Sequence, residues 1–449
     1  MNRGKSAASL AVVLALAIVT APARAATVAA ERELTLDDAL ALAKKRNKSL
    51  VAERARVAQA QTSLSSAWAR LLPTIAAQGK YTRNYAVINF PGGPIFDTSQ
   101  PTMPTVIGMT PPLLIQPLNQ LDGAVSFNAP LIVPAAYPGL QAVKSNIAAA
   151  EANFELSETD LLFAVAQAFY AAGIADEVLV ARRSSIDVTR ATLKNAQTRL
   201  SAGTVTKVDV DRAELALLRA EQMEREARHG REQAYRGLAT LIQIDGPFRA
   251  KAPEKIIVSP PPQDLDMALK LRPEFRALEL SAKAADLQAT TDAWRWSPQI
   301  SAFGNARKFN YDNFNRNRYS WAIGLQLDWV LYDGGARDAE RHLANAQEDE
   351  NRARAEVLRD NIRDDLATGR SLVDTKLQAV GAATRSVELA RETIELVRTQ
   401  YEAGTVTQVD LLQAQDGLVG AQEALAQSRF DLAVADLTLR RAAGTFPPR

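Results

Sequence analysis

The sequence predicts a chain built twice, each half giving two strands to a membrane β-barrel and long coiled-coil helices to an α-helical barrel. Three observations carry this. Ala202-Gly203-Thr204-Val205-Thr206-Lys207-Val208-Asp209 returns 201 positions later as Ala403-Gly404-Thr405-Val406-Thr407-Gln408-Val409-Asp410. Long proline-poor stretches with apolar residues spaced by sevens lead into both copies. The segment from Trp321 to Leu331 alternates, with one wholly apolar face. Self-similarity at a fixed offset fixes the architecture before any local motif is weighed.

The repeat extends beyond the turn. Ile186, Leu193 and Leu200 match Val387, Ile394 and Tyr401, and Leu121, Val125, Phe127 and Leu131 match Trp321, Leu325, Leu327 and Leu331 at an offset of 200. Each half reads helix, strand, loop, strand, long helix, turn, helix. The expected organisation is a signal peptide at 1–25, a first repeat at 26–244, a linker at 245–263 and a second repeat at 264–449.

The chain has 449 residues, a net charge of +2 and 23% charged residues, with Ala, Leu, Glu, Arg and Gln abundant as in long helices. A sequence pI near 8.7 without a basic cluster argues against a nucleic-acid surface. There is no cysteine, which removes disulfides, thiolate metal sites and a lipid-bearing cysteine at a mature N-terminus.

In order, Arg3 and Lys5, the apolar run Leu10–Ala21 and Ala23-Arg24-Ala25 predict a secretory signal peptide. No later stretch approaches the ~18 apolar residues of a membrane-spanning helix. A helix is expected from Thr35 to about Leu72, favoured by Asp37 and Asp38 at its start and stopped by Pro73. Its counterpart runs from near Leu265 to Pro298, with a bend or restart at Pro273. Ile75, Ala77, Gly79 and Tyr81 alternate as a first strand, and Leu121, Gly123, Val125, Phe127 and Leu131 as a second. The third, Gln299–Phe309, rests on its homology to the first. In the fourth, Trp321, Ile323, Leu325, Leu327, Trp329 and Leu331 share a face, with Gln326 and Asp328 opposite. Eight residues at roughly 3.3 Å each put Trp321 and Trp329 about 26 Å apart, near the apolar height of an outer-membrane barrel with aromatic girdles. The loop Ala86–Asn119 holds too many prolines for helix or central strand and reads as long and external; Asn310–Arg318 is a short one. Ala135–Ser201, with Ile147, Phe154 and Leu161 spaced by seven, predicts a helix of about 100 Å, and Ala336–Ala403 its partner. A helix of roughly 40 residues returns after each turn. Asp245–Gln263, with Pro253 and Pro260-Pro261-Pro262, is a linker.

Four strands cannot close a membrane barrel, which needs about eight and leaves no open edge. The chain must therefore share its barrel with copies of itself in a ring. The Ala-rich helices would continue that ring as a hollow cylinder, with the polar strand faces lining water.

The doubled order, the Pro73- and Pro298-ended helices, Leu331-Tyr332-Asp333-Gly334-Gly335 and Tyr401-x-x-Gly404-Thr405-x-Thr407-x-Val409-Asp410 resemble the TolC outer-membrane efflux factors. The resemblance covers nearly the whole mature chain. It implies a homotrimer set in outer-membrane lipid, with a tunnel across the periplasm. A periplasmic adaptor (membrane fusion protein) and an inner-membrane transporter would dock at its tip. The cargo would leave by an efflux or type I secretion route, and the chain would be no enzyme and need no cofactor. The resemblance assigns adaptor contact to Ala202, Gly203, Thr204, Val205, Ala403, Gly404, Thr405 and Val406. It assigns the periplasmic aperture to Asp209, Tyr401 and Asp410. Val406 stands in the family's arginine place and Gln413 in a second aspartate place. From the residues alone, Asp209 and Asp410 equally suit helix caps.

Trp321, Ile323, Leu325, Leu327 and Trp329 are the expected lipid-facing residues. His229 and His342 lie among helix-surface charges and suggest neither metal nor catalysis. A stand-alone porin is opposed by the long helices, an envelope coiled coil by the Trp-bearing strand, and a periplasmic adaptor by the lipid-facing strands.

Overall fold

In the computed structural model, residues 32–97, 99, 105–251, 258, 264–312 and 317–447 are described. The expected signal peptide and the prolines at 253 and 260–262 lie outside them. The first half runs β1 (Arg32–Leu34), α1 (Leu36–Arg46), α2 (Lys48–Ala69), β2 (Thr74–Arg83), β3 (Ile88–Phe90), β4 (Pro94–Asp97), β5 (Thr105–Met109), β6 (Leu113–Gln116), β7 (Asn119–Ile132), α3 (Ala136–Ser201) and α4 (Lys207–Ile242). The second runs β8 (Phe248–Ala250), α5 (Leu265–Leu271), α6 (Pro273–Trp294), β9 (Gln299–Phe309), β10 (Tyr319–Asp328), α7 (Ala336–Glu402) and α8 (Gln408–Ala442). The long helices match, with 66 residues in α3 and 67 in α7.

Where one helix was expected from Thr35 to Leu72, there are two. Thr35 opens α1 with a capping box: its hydroxyl accepts from the Asp38 amide at 3.2 Å, and Asp38 accepts from the Thr35 amide at 3.2 Å. Asn47 then ends α1 and starts α2. Its amide donates to Ala43 O at 2.9 Å, while its side-chain oxygen accepts from the Ser49 amide at 2.8 Å. Its side-chain nitrogen donates to Leu241 O at 2.8 Å, so α2 begins where α4 ends. The two short helices thus stack into one column beside α3. In the second half the restart falls at Pro273, the first residue of α6, where proline's missing N–H costs nothing. There Gly444, just past α8, lies against Leu271 and Arg272.

Four strands form one antiparallel sheet in the order β10-β9-β7-β2. Each half contributes a hairpin pair, and β7–β9 joins them, with Phe127 opposite Gly304 and Val125 opposite Ala306. The outermost strands, β2 and β10, each pair on one side only among the described residues. The proline-rich loop contains two small hairpins, β3–β6 and β4–β5. The linker contributes β8, which pairs in parallel with β1 and covers the region where α1, α3 and α4 meet. Asp176 of α3 accepts from Arg231 and from the Tyr235 hydroxyl, whose oxygen accepts from the Ala250 amide at 3.1 Å. Burial, and then the bond to Asp176, push the Tyr235 phenol up to about 12.

Two cores sit at equivalent heights. Leu34, Val165, Phe169, Leu238, Ile242 and Phe248 form one, and Leu269, Ile362, Leu366, Leu432 and Leu439 the other. Elsewhere the helices meet through alanine: Ala142, Ala149, Ala152, Ala196, Ala213, Ala344 and Ala426 are buried. Small side chains let axes approach to the short end of the usual 8–10 Å. Gly369 carries this furthest, since a Cβ there would sit 3.1 Å from Leu439 Cδ1. One expectation is corrected: α3 is long and apolar enough to cross a membrane by length and composition. Its apolar character has another use here, because Leu162, Val165, Ala166, Phe169 and Ala172 are buried in the first core.

Candidate functional site: the hairpin turns and the exposed sheet face

The two turns that join the long helices to their return helices have the same geometry. Gly203 has φ +76° and Gly404 φ +74°, a left-handed conformation that an ordinary side chain resists. The Thr204 amide donates to Arg199 O at 3.0 Å and the Gly203 amide to Leu200 O at 2.9 Å. In the second turn Thr405 donates to Gln400 O at 2.9 Å and Gly404 to Tyr401 O at 3.2 Å. This is the Schellman ending, which satisfies the last carbonyls of a helix. Ala202, Gly203, Thr204, Ala403, Gly404 and Thr405 are exposed, and Val205 and Val406 half-exposed. A Cβ on either glycine would meet nothing within 4 Å. Both turns therefore present backbone and small side chains to solvent in a single copy.

Asp209 and Asp410 follow as the acidic members of capping boxes. Asp209 Oδ2 accepts from the Thr206 amide at 2.9 Å and hydroxyl at 2.8 Å. Asp410 Oδ2 accepts from the Thr407 amide at 2.8 Å and hydroxyl at 2.7 Å. The hydrogen bonds from Thr206 and Thr407 hold both carboxyls below the usual aspartate range. A depressed folded-state pKa contributes stability that is present above the unfolded value, about 4, and is lost as pH falls through the folded value. Hydrogen exchange at the first turns of α4 and α8 is therefore expected to speed up below about pH 4. Thr206→Ala with Thr407→Ala should have the same effect at neutral pH, at roughly 1 kcal/mol per cap. Unchanged exchange in that double variant would rule the caps out as the stabilising feature.

Tyr401 is buried, and the Arg199 guanidinium carbon stands 4.7 Å from its ring centre. Arg199 Nη1 also donates to Tyr401 O at 3.4 Å, tying the end of α3 to the end of α7. Sequence reasoning passed over Arg199. The available signal was a break in the repeat, because its counterpart is Gln400. Further up, Gln415 Nε2 donates to Thr192 Oγ1 at 3.0 Å between α8 and α3, again without notice from the sequence.

At the other end of the chain the sheet has two unlike faces. Trp321, Ile323, Leu325 and Leu327 are 68, 77, 71 and 61% exposed, so this face is uncovered in a single copy. They stand opposite Ala306, Gly304, Ala302 and Ile300, which resolves the poor alternation of the third strand: small residues fill its apolar face. Ile75, Tyr81, Leu121, Val125 and Phe127 continue the same exposed surface. The opposite face carries Lys80, Asp122, Ser126, Asn128, Asn305, Arg307, Gln326 and Asp328. Trp329 falls one residue beyond β10, whose ladder ends at the Asp328–Gln299 pair, and its Nε1 donates to Trp296 O at 3.1 Å. Trp68, Trp294 and Trp296 are also exposed, in or just after the last turns of α2 and α6. Together with Trp329 they make an aromatic band where sheet meets helices.

Among the described residues no cluster of His, Asp and Glu could hold a metal ion. His229 Nε2 lies 2.7 Å from Gln233 Nε2 on the surface of α4.

Comparison with known proteins agrees with this geometry. The sequence pattern described as "Outer membrane efflux protein" matches residues 118–242 and 265–445. The outer membrane efflux protein BepC of Brucella suis is 24% identical over 323 residues, 69% of this chain and 70% of its own length. The alkaline protease secretion protein AprF of Pseudomonas aeruginosa is 23% identical over 309 residues. That match spans 65% of this chain and 63% of AprF, less than two thirds of the relative's length. The fold is similar to the Campylobacter jejuni CmeC outer membrane channel, with a TM-score of 0.75 at 16% identity. The match covers 91% of this chain and 85% of that one.

Proposed function

Because this chain belongs to the outer membrane efflux protein family, whose members are outer-membrane channels and not enzymes, we propose that three copies form the exit duct of a tripartite efflux or type I secretion system. The observation that carries this is the four-stranded sheet with one exposed apolar face and two outer strands, β2 and β10, each open along one side. Such a sheet has no stable place in water or in lipid until both edges are paired. Along the sheet β2, β7, β9 and β10 alternate in direction. The β10 edge of one copy therefore meets the β2 edge of the next in antiparallel sense, and repetition closes a barrel. Trp321, Ile323, Leu325 and Leu327, with Trp329 at the rim, face lipid, and the Lys80, Asp122, Arg307 and Asp328 side faces the aqueous lumen.

The helices close in the same way. Val357, Leu377, Leu389 and Leu396 on α7 are exposed in one copy, as are Val51 on α2 and Val208, Leu215 and Leu218 on α4. Adjoining copies cover these two edges with each other. The tunnel then runs from the membrane to the turns at 202–205 and 403–406, where a periplasmic adaptor docks and joins the duct to an inner-membrane transporter. Asp209, Asp410 and Tyr401 surround the periplasmic aperture. They act there by capping helices and by seating Tyr401 under Arg199, since both aspartate carboxylates are held by threonines.

A stand-alone porin has no use for helices of 66 and 67 residues. A purely structural coiled coil has none for the exposed apolar sheet. The test combines Gly203→Val and Gly404→Val. A β-branched residue in the left-handed region costs roughly 1–2 kcal/mol at each turn and reshapes it. The expected result is a trimer still present in the outer membrane, no cross-linking of the adaptor through Thr204→Cys or Thr405→Cys, and export at the level of a deletion strain. Normal export and cross-linking in the double variant would contradict adaptor docking at the turns.

A further inference from the structure

One row across the four-stranded sheet interrupts its apolar face. Gly79 of β2 stands opposite Gly123 of β7, Gly123 opposite Lys308 of β9, and Lys308 opposite Tyr319 of β10. Directly opposed residues share a face, so Lys308 lies on the side of Trp321, Ile323 and Leu325 and not on the polar side. One row towards the helices come Ala77, Val125, Ala306 and Trp321. Two glycines and two alanines among larger neighbours leave a groove of about 620 Å³ floored by backbone. A Cβ on Gly79 would meet nothing within 4 Å, and one on Gly123 only Lys308 O at 3.9 Å. The following row closes the groove, since a Cβ on Gly304 would lie 3.5 Å from Ile323 Cγ2 and 3.8 Å from Phe127 Cβ. Tyr319 and Trp321, 63 and 68% exposed, stand along one side.

Charge indicates what fills it. The apolar-face positions of the four strands hold two cations, Lys308 and Arg83, and no acidic residue. Arg318, next to Tyr319, is already paired with Asp312 at 2.9 Å. Lys308 is exposed and lies two residues outward from the row of Trp321, about 7 Å along the strand. That is the level of Tyr319, with Tyr81 one row further out, and such aromatic residues mark the interface of a membrane barrel. An aliphatic stem in lipid with its ammonium at the interface is the snorkelling arrangement. The anions at that depth are lipid phosphates. A polypeptide occupant would have to bring a carboxylate to the same depth, which is costly and rare. The groove starts beside Lys308 and runs into the apolar band. One molecule with a phosphate above and an acyl chain below therefore satisfies both. The row also crosses β7 and β9, away from the two edges left for sister copies.

We propose that the groove over Gly79 and Gly123 is a lipid site: it takes an acyl chain of a phosphate-bearing anionic lipid whose phosphate rests on the Lys308 ammonium. This rests on the reading that the Trp321–Leu327 face meets lipid. The probe is phosphatidylglycerol, offered with an equal amount of phosphatidylcholine to the full-length assembly in detergent, and retained lipid is counted by native mass spectrometry. The parent is expected to keep phosphatidylglycerol in preference to phosphatidylcholine, one molecule per copy. Lys308→Gln should keep about fivefold less of it, the loss of one lysine at a charged lipid surface. Gly123→Leu leaves Lys308 in place but fills the groove, and should keep about tenfold less. Lys80→Gln, opposite Asp122 on the polar face, is the control and should match the parent. Parental retention in either Lys308→Gln or Gly123→Leu would overturn the site. So would a co-purifying polypeptide, rather than phosphatidylglycerol, that shields Lys308 from an amine-reactive reagent. Because the chain has no cysteine, Leu325→Cys accepts a single fluorophore that separates the two failures. Quenching by spin-labelled phosphatidylcholine in a protein without the preference would overturn the site and leave the lipid-facing sheet standing. No quenching would overturn both.

Discussion

Leu325→Arg is expected to abolish the outer-membrane trimer. Leu325 is the middle apolar residue between Trp321 and Trp329, 71% exposed on the uncovered face of β10 and opposite Ala302. An arginine on the lipid face near the bilayer midplane costs about 2–4 kcal/mol. Three copies place three such charges in one barrel, so the penalty per assembly is about 6–12 kcal/mol. Per copy, about 2–4 kcal/mol is a large fraction of a typical stability of about 5–15 kcal/mol. Gln326→Arg, one residue along and on the polar face, is the matched control and should assemble normally, because a one-residue step crosses the sheet. Heat-dependent migration of outer-membrane extracts on gels measures both. Equal trimer yields in the two variants would show that the Leu325 face does not meet lipid.

Arg337→Ala is expected to loosen the joint between barrel and tunnel. Arg337 is 3% exposed, with its guanidinium carbon 3.8 Å from the centre of the Trp296 ring. Its Nε donates to Asp333 Oδ2 at 2.8 Å and its Nη1 to Arg295 O at 3.1 Å. One side chain therefore fastens the chain leaving β10, the end of α6 and the start of α7. The turn it spans needs this support, because Gly334 and Gly335 both have positive φ and no side chain to pack. Removing one partner of a buried pair costs about 3–5 kcal/mol. Asp333 keeps some solvent contact, which puts the expected loss near the lower end, about 3 kcal/mol. Arg337→Lys keeps the charge but not the fork or the stacking, and should fall between. The temperature at which the trimer dissociates in detergent is the readout. An unchanged midpoint for Arg337→Ala would mean that the joint is held elsewhere.

The large features of the fold were legible because they are repeated or periodic. Two copies of one turn, 201 positions apart, gave the duplication, and prolines at 73 and 298 gave the helix stops. Alternation from Trp321 to Leu327 gave the fourth strand directly, whereas the third strand needed the repeat, since Ala302, Gly304 and Ala306 are too small to mark a face. What escaped was short or non-local. The break at Asn47 depends on a side chain that caps one helix while reaching the end of another, almost two hundred residues away. Proline announces such a restart at 273, and asparagine does not. The strands β1 and β8 have three residues each, below the length at which alternation means anything. At the tip, the glycine turns and the capping role open to Asp209 and Asp410 could be read from residue type. The seating of Tyr401 under Arg199 could not, because it joins positions 202 residues apart.

The pairing of β7 with β9 has a consequence for biogenesis. The strand that flanks the first hairpin lies more than 160 residues beyond β7. Until it is in place, Ile75, Tyr81, Leu121, Val125 and Phe127 stand beside two unpaired strand edges. Completion of the polypeptide cures one edge only; the other waits for a sister molecule. Until both partners are in place, the ribbon shows an apolar face and open edges together, the combination that favours pairing with other strands.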